Sequence, residues 1–133
     1  VIDRLRQGLD THYRKGVNGS RILLLGIAYK KDVDDVRESP SQLSFEKLEA
    51  IGAKVDYHDS HFAEIPAMRA HPTLTGRKCV PLTAESLASY DAVVVTTDHS
   101  DVDYAFVAKH SKLVVDTRNA LRDVTDRTHI VKA

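Results

Sequence analysis

The chain has a single cysteine, Cys79, among its 133 residues. It therefore has no disulfide framework and no paired-cysteine metal motif, and a reducing compartment, the cytoplasm, is the expected location. Glycine is scarce where a dinucleotide site would need it. A G-x-G-x-x-G pattern in the first strand-to-helix turn lets a pyrophosphate approach bare backbone, and only Gly26 stands there. A phosphate bound at this turn must be gripped by side chains. Neither sign of charge is in excess: Lys plus Arg and Asp plus Glu number 19 each, which argues against a nucleic-acid groove or a membrane-surface patch. No apolar run approaches the roughly 18 residues that span a bilayer. The first residues read as a charged helix rather than a signal peptide. Internal repeats and low-complexity tracts are absent, and the length suits one domain with a real core.

What is present is a regular alternation of short apolar runs and helical patterns. Ile2, Leu5, Leu9 and Tyr13 recur at helical spacing from the first residues, with no capping residue before them; this reads as a helix cut in mid-course, so a fragment of a longer protein is expected. Gly16-Val17-Asn18-Gly19 stops it. Strand-like runs follow at Ile22–Leu25, Lys54–Tyr57, Ala92–Thr96 and Leu113–Val115, and Cys79–Leu82 is a candidate short strand. Between the first two runs the punctuation of a helix is complete: Ser39 as N-cap, Pro40 at the first helical position, Gln42 closing a capping box, Phe45, Leu48 and Ile51 on one face, and Gly52 as the stop. Further helices are expected at Ala84–Ser89 and Tyr104–His110, with a long irregular connection from Ser60 to Lys78. Strand, helix and strand within about 30 residues make a βαβ unit. Runs such as Val93-Val94-Val95 suit strands buried on both faces. The fold class is α/β, a Rossmann-like, mostly parallel sheet with helices on both faces.

In such sheets ligands sit beyond the carboxyl ends of the strands. The cations available there are Lys30, Lys31 and Arg37 after the first strand and Arg118 after the last. Arginine forks and mobile lysines together suit a diphosphate. From spacing alone, the favoured reading is that Lys30, Lys31 and Arg37 neutralise Asp32, Asp34, Asp35 and Glu38 on a solvated loop. His58-x-x-His61 with Asp59 lacks a third ligand and reads as a surface turn, so no metal site is expected. Asp98, Asp101 and Asp103 fail calcium-loop spacing and read as a polar loop and helix cap. Cys79 beside Lys78 reads as structural, since no base and orienting group can be assigned to it. These residues do not compose a nucleophile and base, so no catalytic residue is expected in the chain.

LLLGIAYKKDVDDVRESPS, GAKVDYHDS, YDAVVVTTDHSDVDY and LVVDTRNAL, in this order between Val17 and Leu121, resemble the C-terminal, UDP-binding domain of the UDP-glucose/GDP-mannose dehydrogenase family. KKDVDDVRESPS with VVDTRNAL is most similar to the UDP-N-acetylhexosamine 6-dehydrogenase branch. The resemblance implies part of an NAD-dependent enzyme of polysaccharide biosynthesis. That enzyme would oxidise the C6 alcohol of a UDP-sugar twice, to a carboxylate, through a cysteine-bound intermediate. This domain would supply the nucleotide half of the substrate site and close over it. Tyr29, Lys30 and Asp32 match a loop that contacts the nucleotide-sugar, Arg118 an arginine on its nucleotide side, and Arg37 a residue reaching NAD held by the other Rossmann domain. The resemblance favours the ligand-binding reading for Lys30, Arg37 and Arg118, and leaves Lys31 peripheral.

The family's NAD fingerprint and nucleophilic cysteine belong to preceding domains, so Cys79 does not inherit the catalytic role. Residues 1–16 resemble the tail of the helix that joins the halves and helps build a homodimer, and residues 17–133 the UDP-binding domain. The piece by itself is expected to turn over nothing. An alternative of another class is a stand-alone flavodoxin-like regulatory or protein-interaction module. That module would need acidic residues just after the first strand, where Gly26-Ile27-Ala28 stands. A self-sufficient NAD-binding domain is disfavoured by the missing glycines.

Overall fold

A computed structural model describes residues 2–14, 16–27, 40–65, 74–125 and 127–132. Helix α1 (Ile2–Tyr13) leads into strand β1 (Arg21–Leu25). There follow α2 (Pro40–Ala50), β2 (Lys54–His58), α3 (Ala84–Ser89), β3 (Ala92–Val95), α4 (Tyr104–His110), β4 (Val114–Asp116) and β5 (Ile130–Lys132). The strands form one sheet in the order β2-β1-β3-β4-β5, and every pairing is parallel.

Because side chains alternate along a strand, β1 feeds two cores. Ile22 and Leu24 pack with Leu5 and Leu9 of α1 and Phe45 and Leu48 of α2. Leu23 and Leu25 pack on the opposite face with Leu87 of α3 and Val107 of α4. Val93, Val94 and Val95 are fully buried, as expected of a central strand covered on both sides. The layers are thus α1 and α2, the sheet, then α3 and α4. Gly8 lets α1 sit close: a Cβ there would come 3.1 Å from Leu113 and 3.3 Å from Val131.

Local chemistry sets the helix ends. Gly52, at φ +96°, donates its N–H to Glu49 O at 3.1 Å while Ala53 donates to Leu48 O at 3.0 Å, a Schellman closure of α2. Thr83 and Ser86 form a reciprocal capping box on α3, and the Asp103 carboxylate accepts the Phe106 N–H to cap α4. Pro40 occupies the first turn of α2 as expected. Its expected cap, Ser39, lies outside the described residues, and Gln42 is fully buried.

Two expectations are corrected. Cys79–Leu82 is not a strand; Cys79 makes a single bridge to Tyr57, because its neighbours turn into the α3 cap rather than continue along β2. The sheet also gains β5, which pairs with β4 through Val115 and Val131. Within the long connection, Glu64 and Lys78 pair in an antiparallel bridge and also form an ion pair at 2.9 Å.

The order 2-1-3-4-5 is the flavodoxin-like variant of the doubly wound sheet, with its topological switch point between β1 and β3. The crevice that such a switch creates lies beyond Leu25 and Val95.

Candidate functional site

Buried polar side chains concentrate at this carboxyl edge: Asp59, Thr96, Thr97, His99 and Asp116 are all at most 7% exposed. Burial of so many polar groups is tolerable only where each is hydrogen-bonded. Their partners define the site.

The chain leaves β1 through Gly26, at φ +97°, where only glycine is comfortable. Its N–H donates to His58 O at 2.8 Å. A Cβ there would lie 2.4 Å from Thr97 Cβ and 2.8 Å from the Thr97 main chain, so the turn after β3 occupies the space directly against it. The Thr96 hydroxyl is shared between Gly26 O at 2.6 Å and Leu25 O at 3.0 Å.

Beyond Gly26, the Ile27 N–H donates to Asp59 Oδ2 at 2.8 Å. The same oxygen lies 2.9 Å from His99 Nε2, and Asp59 Oδ1 accepts the His61 N–H at 2.9 Å. Burial pushes the Asp59 carboxyl up, but the Ile27 and His61 amides and His99 outweigh it and hold the group below the ordinary carboxylate range. The rings of His61 and His99 lie 4.5 Å apart, and the Tyr104 hydroxyl donates to His99 O at 3.0 Å. The surface-turn expectation for His58–His61 therefore fails at Asp59, which is 1% exposed because His99, forty residues on, covers it.

On the other side of the crevice, Asp116 ends β4 and accepts the N–H groups of Arg118, Ala120 and Leu121 at 3.0, 3.0 and 2.9 Å. That carboxylate nest fixes the turn that includes Asn119 at φ +58°. Arg118 projects from this turn, and its Nε–H donates to Thr96 O at 3.1 Å. Among the described residues no carboxylate pairs with its guanidinium. An arginine held by one nitrogen, with its terminal nitrogens uncommitted among those residues, can present a fork to a phosphate or carboxylate.

Of the sequence-predicted site residues, Arg118 is placed at this edge; Tyr29, Lys30, Asp32 and Arg37 lie outside the described residues. Asp103 caps α4 as expected. Among the described residues no group of three or more His, Cys, Asp or Glu side chains is placed to hold a metal. Cys79 Sγ lies 3.5 Å from His58 Nδ1 and 3.4 Å from the Asp59 N–H, which donates to it. His58 Nδ1 is also 2.7 Å from Val80 O. The sequence reading assigned no site role to Asp59, Thr96 or His99; the signal available for Asp59 and His99 was their position just beyond a strand end.

A family model described as the UDP-glucose/GDP-mannose dehydrogenase family, UDP binding domain, matches residues 23–123. The chain belongs to this family. It is 31% identical over 111 residues to UDP-glucose 6-dehydrogenase of Rhizobium meliloti, covering 80% of this chain and 24% of that protein. It is 32% identical over 108 residues to UDP-N-acetyl-D-mannosamine dehydrogenase of Methanococcus maripaludis, again 80% of this chain and 24% of that one. The fold superposes on NDP-N-acetyl-D-galactosaminuronic acid dehydrogenase from Methanosarcina mazei with a TM-score of 0.74 at 24% identity, over 98% of this chain and 27% of that one. The UDP-D-ManNAc dehydrogenase from Pyrococcus horikoshii gives 0.73 at 21% identity, over 98% and 29%. The chain thus spans about a quarter of the length of the family members it matches.

Proposed function

We propose that the chain is the nucleotide-binding portion of an NAD-dependent UDP-sugar 6-dehydrogenase, and that the diphosphate of the substrate lies in the crevice between the β1 and β4 turns. Arg118 grips it from the β4 side, and Tyr29, Lys30 and Asp32 meet the nucleotide-sugar from the β1 side. The observation that carries this reading is the Arg118 to Thr96 bond, which holds a guanidinium at the switch-point crevice, where ligands of such sheets bind. Family membership supplies the nucleotide.

The sugar is proposed to be a UDP-N-acetylhexosamine, on the wording of KKDVDDVRESPS and VVDTRNAL. One matched protein named for UDP-glucose and another named for UDP-N-acetyl-D-mannosamine differ by a single percentage point in identity, 31% and 32%, so turnover of each by the longer protein decides the point.

NAD does not fit the described residues as a pyrophosphate cradle. Thr97 fills the space against Gly26, and no other glycine stands in that turn. The cofactor is therefore assigned to another part of a longer protein, with Arg37 reaching toward it. Residues 1–16 are proposed as the tail of the joining helix of a cytoplasmic homodimer. The contribution of this chain to the reaction is binding and orientation, which lowers the entropic part of the barrier without bond-making by its own side chains.

Calorimetric titration tests the reading: UDP binds the chain and NAD does not. Binding of NAD with no response to UDP overturns it. In the longer protein, Arg37→Ala raises the KM for NAD more than that for the UDP-sugar; the opposite order removes Arg37 from the cofactor site.

A further inference from the structure

We infer that Asp59 and His99 are positioning residues for nucleotide binding, setting the direction in which the chain leaves β1 at Ile27. The inference rests on the reading of the switch-point crevice as a nucleotide site.

Three segments converge on one buried carboxylate. Ile27 comes from the exit of β1, His61 from the turn after β2, and His99 from the turn after β3, all within 2.9 Å of Asp59 oxygens. A buried charge of this kind is a weak source of net stability compared with an apolar replacement, but it admits few alternative arrangements of its donors. The residue clamped at Ile27 is followed directly in sequence by Ala28, Tyr29 and Lys30. Thr96 extends the clamp across the crevice, because it bonds Gly26 on one side and Arg118 on the other. The Asp59 carboxylate thus holds one bank of the crevice while Thr96 fixes the distance to the other. His99 acts through Asp59: its Nε2 occupies the oxygen that also receives Ile27, and its own main chain is held by Tyr104.

The test compares Asp59→Asn, His99→Leu and His99→Gln by UDP titration, with amide spectra reporting folding and Ile27 exchange. Asp59→Asn must turn an amide N–H₂ toward one of the donors, and His99→Leu removes the side-chain partner. Both are expected to weaken UDP binding about 10-fold or more while the spectra stay dispersed. His99→Gln, whose Nε2 can donate to the same oxygen, retains binding within about 3-fold. Folded Asp59→Asn and His99→Leu proteins that bind UDP as the parent does would overturn the inference. If the parent itself does not bind UDP, the nucleotide reading fails separately, and the Ile27 amide decides. Protection in the parent that is lost in both variants supports the clamp; equal exchange in all three refutes it. Should neither variant fold, the parent suffices: an Ile27 amide exchanging as slowly as those of β1 supports the clamp, and one exchanging like a surface amide refutes it.

Discussion

The Thr96 carbonyl accepts the Arg118 Nε–H at 3.1 Å, and the hydroxyl of that same threonine donates to the Gly26 carbonyl at 2.6 Å. One residue at the end of β3 therefore joins the turn after β1 to the turn after β4. The parallel sheet makes this possible: three neighbouring strands end on one edge, so their following residues share a small volume. Arg118 is oriented before any ligand arrives, which spares part of the cost of ordering a long side chain on binding.

Gly26→Ala is expected to destabilise the fold by about 2 kcal/mol or more. A positive φ alone costs an alanine roughly 1 to 2 kcal/mol, and the new Cβ would overlap the Thr97 main chain, whose N–H donates to Leu25 O at 3.0 Å. Urea unfolding would show a lower midpoint at unchanged m-value; an unchanged midpoint would mean that the β1 exit is not tightly held.

Leu9→Ala asks whether the first helix belongs to the core. Leu9 is fully buried and packs in the cluster containing Ile22 and Leu24, so its truncation should cost about 2 to 5 kcal/mol. A loss below about 0.5 kcal/mol, the size expected of a surface change, would show α1 to be peripheral.

Much of this fold is legible in the residues themselves. Pro40 and Gly52 bracket α2 by backbone chemistry that acts locally, and the Val93-Val94-Val95 run declares a strand buried on two faces. The other strand boundaries fall within a residue of the apolar runs. β5 escapes such reading because Ile130 and Val131 are a short pair set among charged residues, and only the exposed edge of β4 makes them a strand. Asp59 escapes for a related reason. Flanked by His58 and Ser60 it has the composition of a surface turn, and its burial depends on His99, which no local pattern connects to it. Arg118 is legible through its motif, but its orientation by Thr96 is a tertiary fact. The strand order is shared with the regulatory modules that the sequence left as an alternative; the family match over residues 23–123 decides between them.

The Asp59 carboxyl ties stability to pH. Its donors hold it below the ordinary range in the folded state, so the unfolded chain takes up the proton first as pH falls. The stabilisation is present in full above the unfolded value of about 4 and is lost as pH drops through the lower folded value. Asp59→Asn should cost roughly 3 kcal/mol at pH 7, and the gap to the parent should narrow in unfolding curves taken at pH 3. A gap that is constant with pH would contradict this.

Cys79 and His58 form a second titrating pair. His58 is raised, first by its contact with the Cys79 sulfur and also by the Val80 carbonyl, against burial, which lowers it. Burial raises the Cys79 thiol, but contact with His58 and the Asp59 N–H outweighs it and the thiol is lowered. The two shifts agree in sign with a shared thiolate and imidazolium. The pH profile of iodoacetamide alkylation should therefore have its midpoint below the ordinary thiol value of about 8.5, and His58→Leu should move it upward. An unmoved midpoint would show that the histidine does not act on the sulfur.

Calorimetric titration of UDP into the chain and into Arg118→Ala tests the central claim most directly. Loss of the guanidinium is expected to weaken binding at least 10-fold, about 1.4 kcal/mol. Arg118→Lys should fall between the two, because it keeps the charge but loses both the fork and the Nε bond to Thr96. Parent-like UDP affinity in a folded Arg118→Ala protein would contradict the assignment of this crevice to the diphosphate.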